Sequence, residues 1–218
     1  MQRRTALKNL ATLALTHGLG FWQVAQAAGV LLPPPGFYRL RGDVRLNGQP
    51  ARQGMLLSPG DTVTTGADGE AIYIIGKDVY LQRDRSIVSL TGDAVKSGLR
   101  IITGKLLSVF GKGARQLRVP TATIGIRGTA CYIEATDAQV YFCLCYGTVD
   151  IVAAHDPSQA ATFTTRYHDS PFNLSASGAF LQPAPVINHS DAELILLESL
   201  VGRVPPFQEL TGSYTTRY

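Results

Sequence analysis

The sequence predicts an all-β domain that carries one α-helix near its C-terminus. Three observations lead there. From Gly42 onward, short apolar runs alternate with turn signals about every ten residues. Gly (22) and Pro (12) are frequent and accompany many Thr and Val residues, the composition of strands and turns. A helical pattern interrupts the rhythm once, at about residues 191–201.

The turn signals are Asn47-Gly48, Ser58-Pro59-Gly60-Asp61, Asp68-Gly69, Gly76-Lys77-Asp78, Thr91-Gly92-Asp93 and Gly111-Lys112-Gly113. Between them lie Thr62-Val63-Thr64, Ala71-Ile72-Tyr73-Ile74-Ile75, Val79-Tyr80-Leu81, Ile87-Val88-Ser89-Leu90 and Leu106-Leu107-Ser108-Val109-Phe110. Such a series suits a β-sandwich, barrel or solenoid. The helix begins at a capping box, Ser190-Asp191-Ala192-Glu193, in which Ser and Glu satisfy each other's backbone N–H groups. Leu194, Leu197, Leu200 and Val201 give it one apolar face. Gly202 and Pro205-Pro206 end it.

With 218 residues, 45% hydrophobic and 17% charged, the chain is globular and long enough for one ordinary core. The formal charge is +4, of which Arg3, Arg4 and Lys8 supply three. The rest of the chain is close to neutral, so the basic balance does not predict nucleic-acid binding.

The N-terminus reads as an export signal. Arg3-Arg4 followed by Leu7-Lys8 resembles the twin-arginine motif, with Ala6 where an aromatic residue is usual. A mild apolar stretch from Leu10 to about Ala28 follows, and Ala25-Gln26-Ala27 is a small-x-small cleavage signal. The stretch is short and interrupted by Thr12, Thr16, His17 and Gly18, so no stable membrane span is expected in the mature chain. The expected address is the periplasm. Leu31-Leu32-Pro33-Pro34-Pro35-Gly36 forms a stiff linker.

A set of ordered motifs between Gly42 and Ile151 resembles the FecR domain family. They are Gly42-Asp43-Val44, the segment from Leu56 to Gly66 containing Gly60-Asp61-Thr62, Asp68-Gly69 and Ile102-Thr103-Gly104-Lys105-Leu106. The most specific follows, Val119-Pro120-Thr121-Ala122-Thr123-Ile124-Gly125-Ile126-Arg127-Gly128-Thr129, and Tyr146-Gly147-Thr148-Val149 closes the set. The resemblance implies a FecR-like β-sandwich or β-solenoid acting as a periplasmic or cell-surface sensing or binding module, with a protein or small ligand as partner. The layout that follows is a signal peptide over residues 1–27, a Pro-rich linker over 28–41, a FecR-like β domain over 42–152 and a C-terminal extension over 153–218. The best-known relatives regulate iron-uptake sigma factors through a cytoplasmic N-terminal domain. Here only about 27 residues of leader are expected in that place, so that role is not carried over. Within the most specific motif, Arg127 suits either a carboxylate ligand or a structural pairing with a nearby Asp or carbonyl.

Three cysteines lie close together: Cys131, Cys143 and Cys145. They fall on the two strands of a hairpin with Thr136-Asp137-Ala138-Gln139 near its tip. Cys143 and Cys145 share a face at i, i+2. Ile133, Val149 and Ile151 should point inward, and Glu134 and Asp150 outward. Odd-numbered residues are then inside, and Cys131 joins the same buried patch. The hairpin loop sets this register, and a one-residue slip reverses it. Three thiolates with one His suit zinc, and thiolates also hold iron–sulfur clusters. The expected ligands are Cys131, Cys143, Cys145 and His168, with Asp169 orienting the imidazole. His155 reads as a turn residue, and His189 as a satisfier of backbone groups before the helix. A Cys131 disulfide to Cys143 or Cys145, or inert packing of the thiols, remains as an alternative.

No Gly-x-Ser-x-Gly, phosphate loop, Rossmann fingerprint or His-Glu-x-x-His occurs. The expected function is therefore binding rather than catalysis. The alternative is a thiol redox protein or metalloenzyme built on the same cysteines.

Overall fold

The turn signals divide the chain into fourteen strands, and the capping box starts the α-helix, in a computed structural model that describes residues 31–92, 97–169 and 171–209. The export signal lies outside the described residues. In chain order the strands are β1 Gly36–Arg41, β2 Val44–Leu46, β3 Gln49–Pro50, β4 Thr62–Thr65, β5 Glu70–Ile75, β6 Asp78–Gln82 and β7 Ile87–Gly92. They continue as β8 Ser97–Val109, β9 Ala114–Val119, β10 Ala122–Ala135, β11 Gln139–Ala153, β12 Ala160–Thr165, β13 Phe172–Ser175 and β14 Leu181–Pro183. Helix α1 spans Asp191–Ser199. Among the described residues, the all-β expectation with one C-terminal α-helix holds.

All strands belong to one sheet, ordered β14-β13-β11-β10-β9-β8-β7-β4-β2-β3, with β1, β5 and β6 branching from β8 and β12 lying on β11. Pairing is antiparallel except between β8 and β9. The long strands β8, β10 and β11 change partners half-way. Residues 122–127 of β10 pair with β9, whereas 130–135 pair with the C-terminal half of β8. The sheet thereby folds over on itself around an apolar interior that includes Val63, Val88, Ile101, Leu106, Leu117, Ile124, Ile133, Phe142 and Ile151.

A second apolar layer lies on the opposite face of the β5–β6–β8–β10–β11 region. Ile72, Val79, Leu81, Leu107 and Tyr132 form it, and Leu194 and Leu197 of α1, with Leu200 at its C-cap, cover it. The capping box forms as expected: the Ser190 N–H donates to Glu193 Oε2 (2.9 Å), and the Glu193 N–H donates back to Ser190 Oγ (3.4 Å). Glu193 also receives Arg83 Nη2 at 2.6 Å, tying the first turn to the sheet. Gly202, at φ +68°, turns the chain away after the helix. Strands β12 to β14 and α1, all beyond residue 153, join the same sheet and its outer face. No helix among the described residues is long and apolar enough to cross a membrane.

One local feature positions the site. Between Arg127 and Cys131, the β10–β11 register shifts twice. Gly128 (φ +57°) and Gly147 (φ +101°) sit at this bulge, both left-handed. A Cβ at Gly147 would lie 2.4 Å from Thr129 Cγ2, so only glycine lets the strands close there. On each strand the bulge reverses which residues face inward. Ile124 and Ile126 point inside before it and Cys131 and Ile133 after it. On β11, Val149 and Ile151 point inside, but so do Phe142 and Leu144.

Candidate metal centre

The reversal separates the three thiols. Cys131 pairs with Leu144 and faces the folded-over interior, as expected from Ile133, Val149 and Ile151. Cys143 pairs with Tyr132 and, with Cys145, faces the opposite layer beneath α1. The sequence reading carried the odd-numbered pattern of Val149 and Ile151 through the bulge, and it does not survive the passage. Cys131 is therefore no member of the cluster. A disulfide from it to Cys143 or Cys145 would have to cross the sheet, and all three thiols are free.

The place expected for Cys131 is taken by His189. Cys143, Cys145, His168 and His189 are all buried, and one ligand atom from each lies within 4.8 Å of the others. Cys143 Sγ is 3.5 Å from His168 Nδ1, and His189 Nε2 is 3.1 Å from the same nitrogen. His168 stands in the loop after β12. Its N–H donates to the Cys145 carbonyl (3.0 Å), which pins the loop to β11. Its backbone is left-handed (φ +44°), a strained conformation for a non-glycine residue that the surrounding contacts must hold. His189 immediately precedes the helix cap and stacks on Tyr132, with ring centroids 4.8 Å apart. The capping box that sets the start of α1 thus also places His189.

The outer nitrogen of the His189 ring is committed. His189 Nδ1 lies 2.6 Å from the Ile187 carbonyl oxygen, which can only accept, so Nδ1 carries the hydrogen. His168 Nε2 lies 3.4 Å from Asp191 Oδ1, within ion-pair reach but without a hydrogen bond to it. His189 Nε2, left with its lone pair, points at His168 Nδ1 from 3.1 Å. Asp191 is in turn held by the Tyr167 hydroxyl, which donates to Oδ2 at 2.7 Å. Asp169, expected to orient His168, instead accepts from the Thr165 hydroxyl and the Arg166 N–H.

The two thiols are driven apart electrically. A hydrogen bond from Cys145, reinforced by His168 and His189, pulls the Cys143 thiol far below its ordinary range despite burial. Burial, and then the Cys143 neighbour, push the Cys145 thiol up. Cys131 is pushed up by burial as well, and then by the Cys143 charge. The cluster therefore favours a single thiolate, at Cys143, among its four donor groups.

Two solved structures resemble part of this fold. Both are crystal structures of a protein from Parabacteroides distasonis provisionally described as an anti-sigma factor. Each is 8% identical to this chain with a TM-score of 0.48, covering 56% of this chain and 58% of that one. No protein-family model matches the chain. No curated protein matches it either.

Elsewhere the sequence-singled residues have structural partners. Arg127, 71% exposed, pairs across the strands with Asp150 (2.8 Å), which fulfils the structural alternative. His155 lies at the turn after β11 against Phe180. The turn reading of Ser58-Pro59-Gly60-Asp61 also holds, since Asp61 Oδ2 accepts the Ser58 N–H at 2.7 Å.

Proposed function

We propose that this chain is an exported FecR-like β-module that acts by binding, with a zinc ion held by Cys143, Cys145, His168 and His189. The observation that carries the reading is the buried convergence of two thiols and two imidazoles, with one ligand atom from each within 4.8 Å of the others. Two Cys and two His are a recognised donor set for structural zinc. A tetrahedral zinc ion with ordinary Zn–S and Zn–N bonds spaces its donors about 3.3–3.8 Å apart. The 3.1 and 3.5 Å separations bracket the lower part of that range, and rotation about cysteine χ1 brings the wider pairs in. A cluster of two irons with bridging sulfides needs more room than donors this close allow, which favours one ion over iron–sulfur chemistry.

Four protein donors close a tetrahedral site, the mark of structural rather than catalytic zinc, and this supports a non-catalytic role. The twin-arginine-like leader supports export after folding, a route that suits a site loaded beforehand. The FecR reading rests on the ordered motifs. Gly60-Asp61-Thr62 forms the turn into β4, and Arg127-Gly128-Thr129 with Tyr146-Gly147 forms the bulge that positions the centre.

The test is elemental analysis of exported protein together with a free-thiol count. One zinc per chain is expected, abolished by Cys143→Ser or Cys145→Ser, lowered by His189→Ala, and retained in Cys131→Ala. Metal-free protein with three titratable thiols and no thermal stabilisation by added zinc overturns the reading. Replacement of Arg3 and Arg4 by Lys should block export, and normal export of that variant refutes the twin-arginine route.

A further inference from the structure

A cavity of about 480 Å³ lies beside the β10–β11 bulge. Gly128 and Gly147 lie in its wall, and a Cβ added to Gly128 would meet nothing within 4 Å. The size suits a small organic molecule. Phe110, Tyr146, Val204 and Pro206 supply apolar surface. Phe207, which packs against Tyr146 and Tyr167, lies behind it on the side of His168, so the cavity is distinct from the metal centre.

The charges around the cavity are one-sided. Lys112, Arg166 and Arg203 line it, and Glu198 is the single carboxylate among its lining residues. Glu198 is already engaged. It accepts from the Tyr146 hydroxyl and from Arg203 Nε at 2.5 Å. Arg203 Nη1 donates to the Lys77 carbonyl (2.6 Å), while Nη2 is buried with no partner among the described residues. Lys112 and Arg166 pair with no carboxylate among the described residues, unlike Arg39, Arg45, Arg83, Arg115 and Arg127, which each have one. Unpaired cations at the rim of a largely apolar hollow are complementary to an anion with an apolar body.

We infer that this cavity is a binding site for a monocarboxylate with an aliphatic or aromatic body, its carboxylate held by Lys112 and Arg166 and its body between Tyr146, Val204 and Pro206. Both cations are exposed at the mouth, which places the carboxylate outermost and directs the body toward the bulge. The Arg-Gly-Thr motif thereby acquires a role beyond strand geometry, because Gly128 leaves its part of the wall open.

The test uses decanoate, decanol and decylammonium, which share one apolar body and differ in charge. Each is titrated into the zinc-replete protein and followed by amide chemical shifts. Decanoate is expected to shift Gly111, Gly128 and Gly147, to bind at least ten-fold more tightly than decanol, and to weaken as salt rises. Decylammonium should leave these amides unmoved. The double substitution Lys112→Ala with Arg166→Ala, both on the surface, should cost decanoate at least ten-fold in affinity at unchanged melting temperature. Gly128→Asn, which tolerates positive φ and fills the open space, should block binding. Equal binding of decanol and decanoate, or an unaltered affinity in the double variant, overturns the proposal. So do shifts that map instead to the separate hollow lined by Arg115 and Arg118.

Discussion

Asp191 stands where it would orient His168 in the proposed zinc site. Its Oδ1 lies 3.4 Å from Nε2 and has no hydrogen-bond partner among the described residues; zinc at Nδ1 puts the ring hydrogen on Nε2, which would supply that partner. Asp191→Asn keeps the volume and removes the charge. It is expected to lower zinc affinity about 10–100-fold in competition with a fluorescent chelator, the usual effect of losing such a partner. An unchanged affinity would mean that His168 does not bind through Nδ1. A different carboxylate contributes to acid sensitivity. Burial alone would raise Asp84, but hydrogen bonds and charge from Lys105, and then Arg85, hold it below its ordinary value. Its folded pKa is thus the lower one, so its contribution is complete above the unfolded value near 4 and fades as pH falls through the folded value. Asp84→Asn should cost about 0.5–1 kcal/mol at pH 7 in urea unfolding, and the difference from the parent should shrink as the pH falls below about 4. A difference that grows on acidification would contradict the assignment.

At the scale of elements, what could be read in advance was whatever local chemistry determines. Turn residues set the strand boundaries, and a capping box fixed the start of α1 at Asp191. The side-chain alternation of β10 and β11 is local too, but only between irregularities. The bulge at Gly128 and Gly147 resets it, and with it the partners of every thiol. Two glycines inside strand patterns were the available sign. Their effect depends on which residues they oppose, and that is a property of the pairing rather than of either strand. His189 escaped notice for a related reason: its neighbours explain its backbone role, while its side chain meets Cys143 only after β11 and the segment before α1 come together. The helix itself is nine residues long, too short to persist alone, and depends on Leu194, Leu197 and Leu200 lying on β6 and β8. Leu197 is fully buried, so Leu197→Ala should destabilise by about 2–5 kcal/mol in urea unfolding. A loss within about 0.5 kcal/mol would show that the helix is not part of the cooperative core.

Across the molecule, the four donors come from three stretches of chain: β11, the loop after β12, and the segment that leads into α1. An ion bound by all of them joins the C-terminal helix to the middle of the sheet. Without it, the helix keeps its apolar contacts with Ile72, Val79, Leu81 and Leu107 and its Arg83–Glu193 pair. A ligand that binds only the docked state stabilises that state by its own occupancy, so chelation should act first on docking and only then on the sheet. In hydrogen exchange, removal of zinc by a strong chelator is expected to speed exchange of the amides in residues 186–202 and of His168, whose N–H bonds the Cys145 carbonyl. The β2–β4–β7 ladder, at the far end of the sheet order, should keep its protection. His189→Ala should show the same regional pattern before any chelator is added. A uniform loss of protection would instead mean that the ion supports the whole fold at once, and no change at all would remove it from the folded state.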